Sequence, residues 1–167
     1  WARWGYRRSQ YRVLILFGLS PRTKDRLLVE ICRRFFEGFP DLPTLLQRFP
    51  ARPGDVEVIV RKAQIPFVES AVRLLTEAQG MISKDRDALL RIPRVGEKVA
   101  ECVIAYGWGE EALPLDGHGC RVAERLMGTN PNAQNTSDVA SKSVAGLRSL
   151  LRPIYHERRQ WMASREI

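Results

Sequence analysis

Residues 89–108 read LLRIPRVGEKVAECVIAYGW and combine an apolar helical pattern with an unusual start. Apolar residues recur there at helical spacing, which predicts a helix with one buried face. Its stripe consists of Val95, Val99, Cys102 and Tyr106. Pro93, Gly96 and Lys98 fall within six positions around the start of that helix. The stretch therefore predicts two helices joined by a tight turn, over about residues 89–106.

The turn of this hairpin has a composition suited to binding an anion. Gly96 can adopt a positive φ, and successive backbone N–H groups then point outward at the start of the second helix. That geometry binds phosphate. An ordinary helical hairpin, in which Pro93 and Gly96 only end and begin helices, accounts for the same residues. The turn by itself leaves both interpretations open.

The charge of the chain favours a polyanionic partner. Its 167 residues carry 27 Lys and Arg against 19 Asp and Glu, a net charge of +8, and 44% are hydrophobic. Such a composition can bury a core in one domain or in two closely packed ones. Nucleic acid is the first candidate partner for this positive charge. A protein with a merely basic surface has the same composition, so charge alone does not decide between them.

Cysteine usage and hydropathy exclude several classes of protein. Cys32, Cys102 and Cys120 are scattered, and an odd count without a Cys-x-x-Cys pair builds no disulfide framework. We expect a reducing compartment and buried or idle thiols. No set of Cys and His has the spacing of metal ligands, so we expect no metal and no cofactor. No apolar run approaches the roughly 20 residues of a membrane span, and we expect no membrane partner.

The first half of the sequence predicts helices. Residues 13–17, VLILF, are apolar on every side and are interpreted as a buried helix, because no second strand-like run exists to pair with them. An amphipathic helix follows residues 19–25 and is ended by Gly38 and Pro40. Its apolar face is predicted to consist of Leu27, Leu28, Ile31 and Phe35.

Helical spacing continues in the second half. Residues 56–63 and 68–75 each follow the helical template. Ser83 is the predicted N-cap of the first hairpin helix. Beyond a polar loop at residues 128–138, a last helix is predicted over residues 140–151. The sequence therefore predicts an all-α fold.

Two motifs together resemble the helix-hairpin-helix DNA glycosylases of the endonuclease III family. IPRVGEKVA at residues 92–100 is similar to that family's Leu-Pro-Gly-Val-Gly-x-Lys turn, and LDGHGCRV at residues 115–122 to its Val-Asp-Thr-His-Val-x-Arg-Val segment. LSPRTKD at residues 19–25 also resembles its Leu-Ser-x-Gln-x-x-Asp segment. The resemblance runs from about Tyr11 to Leu126, and the tail beyond Leu151 matches poorly.

The resemblance implies two helical modules with the active cleft between them. Residues 12–112 would form a six-helix barrel containing the hairpin, and residues 1–11 with 113–167 would form the second module. The hairpin would hold the DNA backbone while a damaged base is flipped out of the duplex, because the glycosidic carbon of a stacked base is shielded.

The implied function is excision of a damaged or mismatched base from double-stranded DNA, followed by strand cleavage at the abasic site through β-elimination. Alternatives are a monofunctional glycosylase for thymine or uracil opposite guanine, and a non-catalytic DNA-binding module. We expect a monomer in the nucleoid-containing cytoplasm of a prokaryote or in the nucleus of a eukaryote.

Lys98 and Asp116 are the expected catalytic residues. Cleavage of a glycosidic bond builds positive charge on the sugar, which the carboxylate of Asp116 is suited to stabilise. Asp116 also precedes a predicted helix that it is suited to cap, and the two roles can coexist. Lys98 can attack C1′ of the sugar as a neutral amine and form a Schiff base, or it can pair with a DNA phosphate.

Other residues are expected to contact DNA: Arg22, Phe67, Arg94, Val95, Gly96 and His118. Arg94 replaces the first glycine of the family's turn and either alters the turn or adds a phosphate contact. Arg22 lies where the family has a glutamine that fills the gap left by the flipped base, and an arginine can fill it too. Phe67 lies where relatives insert a wedge into the duplex, although packing inward fits its position as well.

The region around His118 departs from the family's pattern. Gly117 and Gly119 replace Thr and Val beside it, which loosens the start of the following helix. His118 is expected to be a structural or DNA-facing imidazole. Many members carry four cysteines that hold an iron–sulfur cluster near the C-terminus, whereas this chain has none after Cys120. Either it belongs to the branch without the cluster, or the cluster segment lies beyond Ile167.

Overall fold

The computed structural model describes residues 9–114 together with Arg121 and Arg125. Every regular element within residues 9–114 is helical, which confirms the predicted all-α fold. The chain divides into two compact units, Trp1–Pro114 and Leu115–Ile167. The assignment of residues 1–11 to a module shared with the C-terminal segment stays a prediction. Of the helices in the described part, none is long and apolar enough to cross a membrane.

Seven α-helices follow one another along residues 9–114. They are α1 (Gln10–Leu19), α2 (Asp25–Gly38), α3 (Leu42–Ala51), α4 (Gly54–Glu57), α5 (Ile65–Glu77), α6 (Arg86–Leu90) and α7 (Glu97–Cys102). A 3₁₀ turn at Lys62–Gln64 leads into α5, and a π-helix at Val103–Trp108 continues α7.

Helix α1 is the central element of this unit. It begins at an N-cap, Ser9, whose hydroxyl accepts a hydrogen bond from the Arg12 N–H. The four residues 13–16 are all buried, and the helix packs against α2, α5, α7 and the π-helix. The prediction of a buried helix at residues 13–17 is therefore confirmed. A helix that is apolar on every side can bury all of its apolar surface only when other helices surround it.

Helix α2 is amphipathic as predicted, with one residue misplaced. Leu28, Ile31 and Phe35 are buried, but Leu27 is 45% exposed, so its predicted place on the apolar face was wrong. Consecutive residues of an α-helix point about 100° apart, and Leu28 already occupies the centre of the buried face. The solvent face instead carries Arg33, which forms ion pairs with Glu30 (2.8 Å) and Glu37 (2.6 Å).

The region between α2 and α5 departs most from the sequence-based expectations. The pattern at residues 56–63 predicted one helix, and this was wrong. Helix α4 ends at Glu57, and the next residue, Val58, is 72% exposed. A turn separates α4 from the 3₁₀ turn at Lys62–Gln64. Helix α3 was not predicted. Its start does carry a helix signal, because Asp41 precedes Pro43 and the Asp41 carboxylate accepts the Thr44 N–H at 2.8 Å.

The first hairpin helix also begins later than predicted. Asp85 is its N-cap, since the Asp85 carboxylate accepts the Ala88 N–H at 2.9 Å. The predicted cap, Ser83, lies two residues earlier, and its hydroxyl accepts the Asp85 N–H at 3.0 Å. Ser83 therefore shapes the turn that leads to the cap rather than capping the helix.

Two of the three cysteines lie in the described residues, and both are buried. These are Cys32 on α2 and Cys102 on α7. Burial raises the pKa of the Cys32 thiol to about 12, so this thiol stays protonated and unreactive at neutral pH. The expectation of a buried, idle thiol is supported for Cys32, that of burial for Cys102, and Cys120 lies outside the described residues.

Phe67 is a core residue where α5 meets α1. Its side chain is 1% exposed, and a Cβ placed on Gly18 would lie 2.0 Å from the end of its ring. Only glycine at position 18 leaves room for this ring. The proposed insertion of Phe67 into a DNA duplex is contradicted by this placement, because the ring is enclosed between two helices.

Replacement of Gly18 by Ala is expected to destabilise the fold. The added methyl group overlaps the Phe67 ring, and overpacking of this kind costs about 1–3 kcal/mol. Gly54→Ala is the matched control, since a Cβ there meets no atom of the described residues within 4 Å. Urea denaturation should show the loss only for Gly18→Ala, with partial recovery when Phe67→Leu is added. Equal stability of the two single variants would contradict the packing.

Candidate functional site

The hairpin consists of α6, a turn at residues 91–96, and α7. Within the turn, the Ile92 N–H donates to the Leu89 carbonyl (3.1 Å) and the Val95 N–H to the Ile92 carbonyl (2.9 Å). This confirms the predicted pair of helices with a tight turn. The predicted apolar stripe is buried at residues 95, 99 and 102, whereas Tyr106 is 48% exposed and its ring stacks on Phe17.

The positive φ of this turn lies at Arg94 and not at Gly96. Arg94 has φ 69°, whereas Gly96 has φ −91° and ψ 178°, an extended conformation that any residue can adopt. The prediction of a left-handed Gly96 was therefore wrong. Gly96 is the N-cap of α7 and is exposed, and a Cβ added to it would meet open space among the described residues. Because Gly96 has no side chain, another molecule can come close to the backbone at the start of α7.

A side-chain contact accompanies the left-handed conformation of Arg94. Nη1 of Arg94 donates to the Ala63 carbonyl oxygen at 2.9 Å. A non-glycine residue in this region costs roughly 1–2 kcal/mol, and a hydrogen bond from a charged donor is large enough to offset that cost. Arg94 therefore joins the hairpin turn to the 3₁₀ turn before α5.

Val95 belongs to the interior of the turn. Its side chain is 5% exposed and its N–H is used by the Ile92 carbonyl. This arrangement does not support the predicted contact of Val95 with DNA, because its side chain is buried and its N–H already donates to Ile92.

Arg22 lies in a second tight turn, at residues 20–23. The Thr23 N–H donates to the Ser20 carbonyl at 3.0 Å, and Arg22 has φ 55°. The Arg22 carbonyl accepts a hydrogen bond from Nη1 of Arg61 at 2.9 Å. The main chain of Arg22 is thus held by a neighbouring loop, while its side chain remains exposed.

Gln64 connects this turn to the 3₁₀ turn from inside the protein. The residue is 6% exposed, and its Nε2 donates to the Leu19 carbonyl (2.6 Å) and the Thr23 hydroxyl (3.1 Å). Its Oε1 accepts the Arg61 N–H at 2.8 Å. The buried amide is therefore bonded through both of its polar atoms, and it fixes the end of α1 to the loop before α5.

These contacts place three loops side by side: residues 20–23, 61–64 and 91–96. We call them the three-loop surface. They carry five cationic residues and no acidic one, namely Arg22, Arg61, Lys62, Arg91 and Arg94. All five are exposed. A set of exposed cations on hydrogen-bonded turns is suited to contact a chain of phosphates.

Lys98 lies directly beside this surface, in the first turn of α7, and is half-buried. Its helix is joined to α6 by an ion pair between Glu97 and Arg86. Asp116 and His118 lie outside the described residues, so their predicted roles stay predictions.

Arg61 and Gln64 were missed by reading the sequence. Both lie in the segment RKAQ, where an apolar helical pattern is interrupted by two consecutive cations. That interruption was the available signal. The partners of the two residues, Leu19 and Arg22, are about forty positions away, and sequence spacing does not reveal such contacts.

Similar proteins were found by sequence and by structure. No family model matches the chain. Endonuclease III of Bacillus subtilis is 36% identical over 122 residues, which cover 71% of this chain and 55% of that protein. A thymine/uracil-DNA glycosylase of Pyrobaculum aerophilum is 31% identical over 136 residues, covering 75% of this chain and 56% of that protein. The chain thus spans little more than half the length of these relatives.

The fold is similar to that of a solved endonuclease III. A structure of a trapped covalent intermediate of that enzyme with DNA has a TM-score of 0.64 and 23% identity, covering 82% of this chain and 65% of the other. The all-helical fold, the hairpin with its glycine and lysine, and these sequence relatives agree with one another. The chain belongs to the helix-hairpin-helix DNA glycosylase superfamily.

Proposed function

We propose that the protein is a DNA base-excision glycosylase that also cleaves the strand at the abasic site. The observation that carries this proposal is the position of Lys98, two residues after the exposed N-cap Gly96 and beside five exposed cations. A lysine in that position can reach a sugar whose phosphates the surface binds. The names of the relatives, endonuclease III and thymine/uracil-DNA glycosylase, support the same activity.

The three-loop surface binds the phosphate backbone of double-stranded DNA in this proposal. The open start of α7 lets a phosphate approach the backbone N–H groups, and the cations neutralise neighbouring phosphates. Affinity should therefore fall steeply with salt, because each neutralised phosphate releases counterions.

Catalysis is divided between Lys98 and Asp116. The amine of Lys98 attacks C1′ of the flipped nucleotide, the glycosidic bond breaks, and the base leaves with the bonding electrons and takes up a proton. The carboxylate of Asp116 stabilises the positive charge that develops on the sugar. The nitrogen lone pair then opens the C1′–O4′ bond, and O4′ takes up a proton, which leaves an imine between Lys98 and C1′. This imine acidifies the hydrogen on C2′, and its loss as a proton drives β-elimination, in which the C3′–O bond breaks and the 3′ phosphate leaves with the bonding electrons.

Arg22 is proposed to fill the gap that the flipped base leaves. Its main chain is fixed by Arg61 and its side chain is exposed, so the guanidinium extends from a rigid base. A planar guanidinium stacks on bases and donates hydrogen bonds to the partner base. We further propose that the protein acts as a monomer. We also propose that it works in the compartment that contains the DNA of the cell.

The sharpest prediction concerns Lys98→Gln. If the amine is the nucleophile, borohydride should trap wild-type protein on lesion-containing DNA, and the variant should lose both trapping and nicking. Binding to undamaged duplex should change little. Asp116→Asn should keep binding and slow base release by about 10²-fold or more. The assay should use duplexes with thymine glycol, uracil, a thymine mismatch, 8-oxoguanine or an abasic site, each scored with and without alkali.

Three outcomes of that assay would change the proposal. Base release that needs alkali to produce a nick, with no trapped complex on any duplex, would establish a monofunctional glycosylase. Full excision by Asp116→Asn would remove the proposed electrostatic role. Absence of excision on every duplex would leave a DNA-binding module without this activity.

Replacement of Gly96 by Val should weaken binding to all duplexes alike, by about 10-fold or more, because the new side chain keeps a phosphate from the start of α7. The backbone there is extended and the space is open, so folding should be unaffected. Gly54→Val is the control, since its Cβ also meets open space. Fluorescence anisotropy with damaged and undamaged duplexes measures the effect. A change confined to lesion preference would contradict the assignment of the turn.

Arg22→Ala should weaken binding to lesion duplexes by about 10-fold and binding to undamaged duplexes by much less, because only the former have a gap to fill. Lys62→Ala removes an exposed cation from the same surface and serves as the control. It should weaken both kinds of duplex equally. Titrations at two salt concentrations separate the two effects. Equal losses for Arg22→Ala on both duplexes would reduce Arg22 to a phosphate contact.

A further inference from the structure

Arg61 lies in the loop before α5, and its side chain reaches across to another loop. Nη1 of Arg61 donates to the carbonyl oxygen of Arg22 at 2.9 Å, although the two residues are 39 positions apart. Arg22 is the residue that is proposed to fill the gap left by the flipped base. Its side chain is exposed and forms no hydrogen bond or ion pair with the other described residues. The bond from Arg61 therefore acts on the main chain from which that free side chain extends.

The two ends of the turn at residues 20–23 are held by other groups. The Ser20 hydroxyl donates to a carbonyl of α1 at 2.8 Å, and the Thr23 hydroxyl accepts the Gln64 amide at 3.1 Å. The Thr23 N–H closes the turn on the Ser20 carbonyl at 3.0 Å. Gln64 is bonded to the main-chain N–H of Arg61, which a replacement of the Arg61 side chain keeps. Loss of that side chain should therefore leave the turn folded and release only its centre.

The centre of this turn is strained. Arg22 has φ 55°, in the left-handed region that residues with a Cβ rarely adopt. Such a conformation persists only where surrounding contacts determine it. A hydrogen bond from a charged donor is comparable in free energy with the cost of this conformation. Without that bond, Arg22 can rotate toward a negative φ, which changes the direction of its Cα–Cβ bond.

Lys62 provides a comparison within the same loop. It is an exposed cation directly beside Arg61, so both residues add to the positive charge of the three-loop surface. The Lys62 side chain forms no hydrogen bond or ion pair within the described part of the chain. If only charge matters, loss of either side chain should have the same consequence. If position matters, loss of Arg61 should have a consequence that loss of Lys62 lacks.

We infer that Arg61 is a positioning residue for Arg22 and thereby a determinant of lesion preference. Its guanidinium holds the main chain of Arg22 in the orientation from which the Arg22 side chain enters the gap beside the flipped base. The inference rests on the proposed function, in which Arg22 fills that gap. Arg61 does not have to contact the gap itself, because it acts through the Arg22 carbonyl.

The experiment compares affinity for two duplexes by fluorescence anisotropy. One contains a tetrahydrofuran abasic analogue, which cannot form a Schiff base, and the other is the matched undamaged duplex. The ratio of the two dissociation constants is the lesion preference. Arg61→Ala should lower this preference by about 3- to 10-fold. Lys62→Ala should weaken both duplexes equally and leave the preference within about twofold of wild type.

A double variant tests whether Arg61 acts through Arg22. In the Arg22→Ala background, adding Arg61→Ala should change the preference by less than about twofold, because the side chain that Arg61 positions is absent. In the free protein, the carbonyl ¹³C resonance of Arg22 should shift in Arg61→Ala and stay in place in Lys62→Ala. Urea denaturation checks that each variant is folded. Should Arg61→Ala fail to fold, Arg61→Met keeps most of the aliphatic stem, removes every donor and is held to the same outcomes.

The results against the inference differ from those against the proposed function. The role of Arg61 would be overturned if Arg22→Ala lowered the preference and Arg61→Ala did not. Equal losses from Arg61→Ala in both backgrounds, an equal loss from Lys62→Ala, or an unmoved Arg22 carbonyl resonance would overturn it too, and gap filling would stand. An unchanged preference in Arg22→Ala would instead contradict gap filling by Arg22, and the inference would fail with it.

Discussion

The buried amide of Gln64 is the interaction on which the cationic surface depends. It joins the carbonyl that ends α1, the hydroxyl of Thr23 and the N–H of Arg61. An unpaired buried polar group costs about 1–3 kcal/mol, so any movement of one loop away from the amide leaves groups unsatisfied in the others. The turn at residues 20–23 and the segment at residues 61–64 are therefore fixed together and not separately. The position of each cation on them follows from this one side chain.

Two of the three non-glycine residues with a positive φ in the described chain support the same view. Arg22 and Arg94 both have a positive φ, and both are bonded to the segment at residues 61–64, Arg22 through its carbonyl and Arg94 through its guanidinium. Such conformations persist when surrounding contacts determine them, and they cluster at functional sites. An arginine in place of a glycine in the hairpin turn adds a cation at the expense of strain. The contact with the Ala63 carbonyl offsets that strain, and the residue as a whole stays exposed.

The sequence was informative where structure depends on neighbours along the chain, and it failed where structure depends on distant ones. The buried helix at residues 13–17 and the hairpin at residues 89–106 follow from local periodicity and from Pro and Gly. The helix predicted over residues 56–63 does not form, and this failure has a distant cause. Gln64, just after that segment, bonds to Leu19, a partner 45 residues away. The φ of Gly96 was mispredicted for a similar reason. The left-handed residue is Arg94, which contacts Ala63, 31 positions earlier, and local spacing suggested only that a glycine should take that role.

The two buried polar side chains among the described residues suit their different surroundings. Gln64 and Glu101 each accept a main-chain N–H and so hold a loop through its backbone, which leaves outward-facing side chains available. Gln64 is bonded to the loops that carry Arg22, Arg61 and Lys62, where a carboxylate would weaken the positive field, and a neutral amide supplies the acceptor without that loss. Glu101 lies next to Arg86, which pairs with its charge inside the protein. The amide at position 64 therefore preserves the positive potential of the three-loop surface, and the acid at position 101 is compensated by Arg86 within the fold.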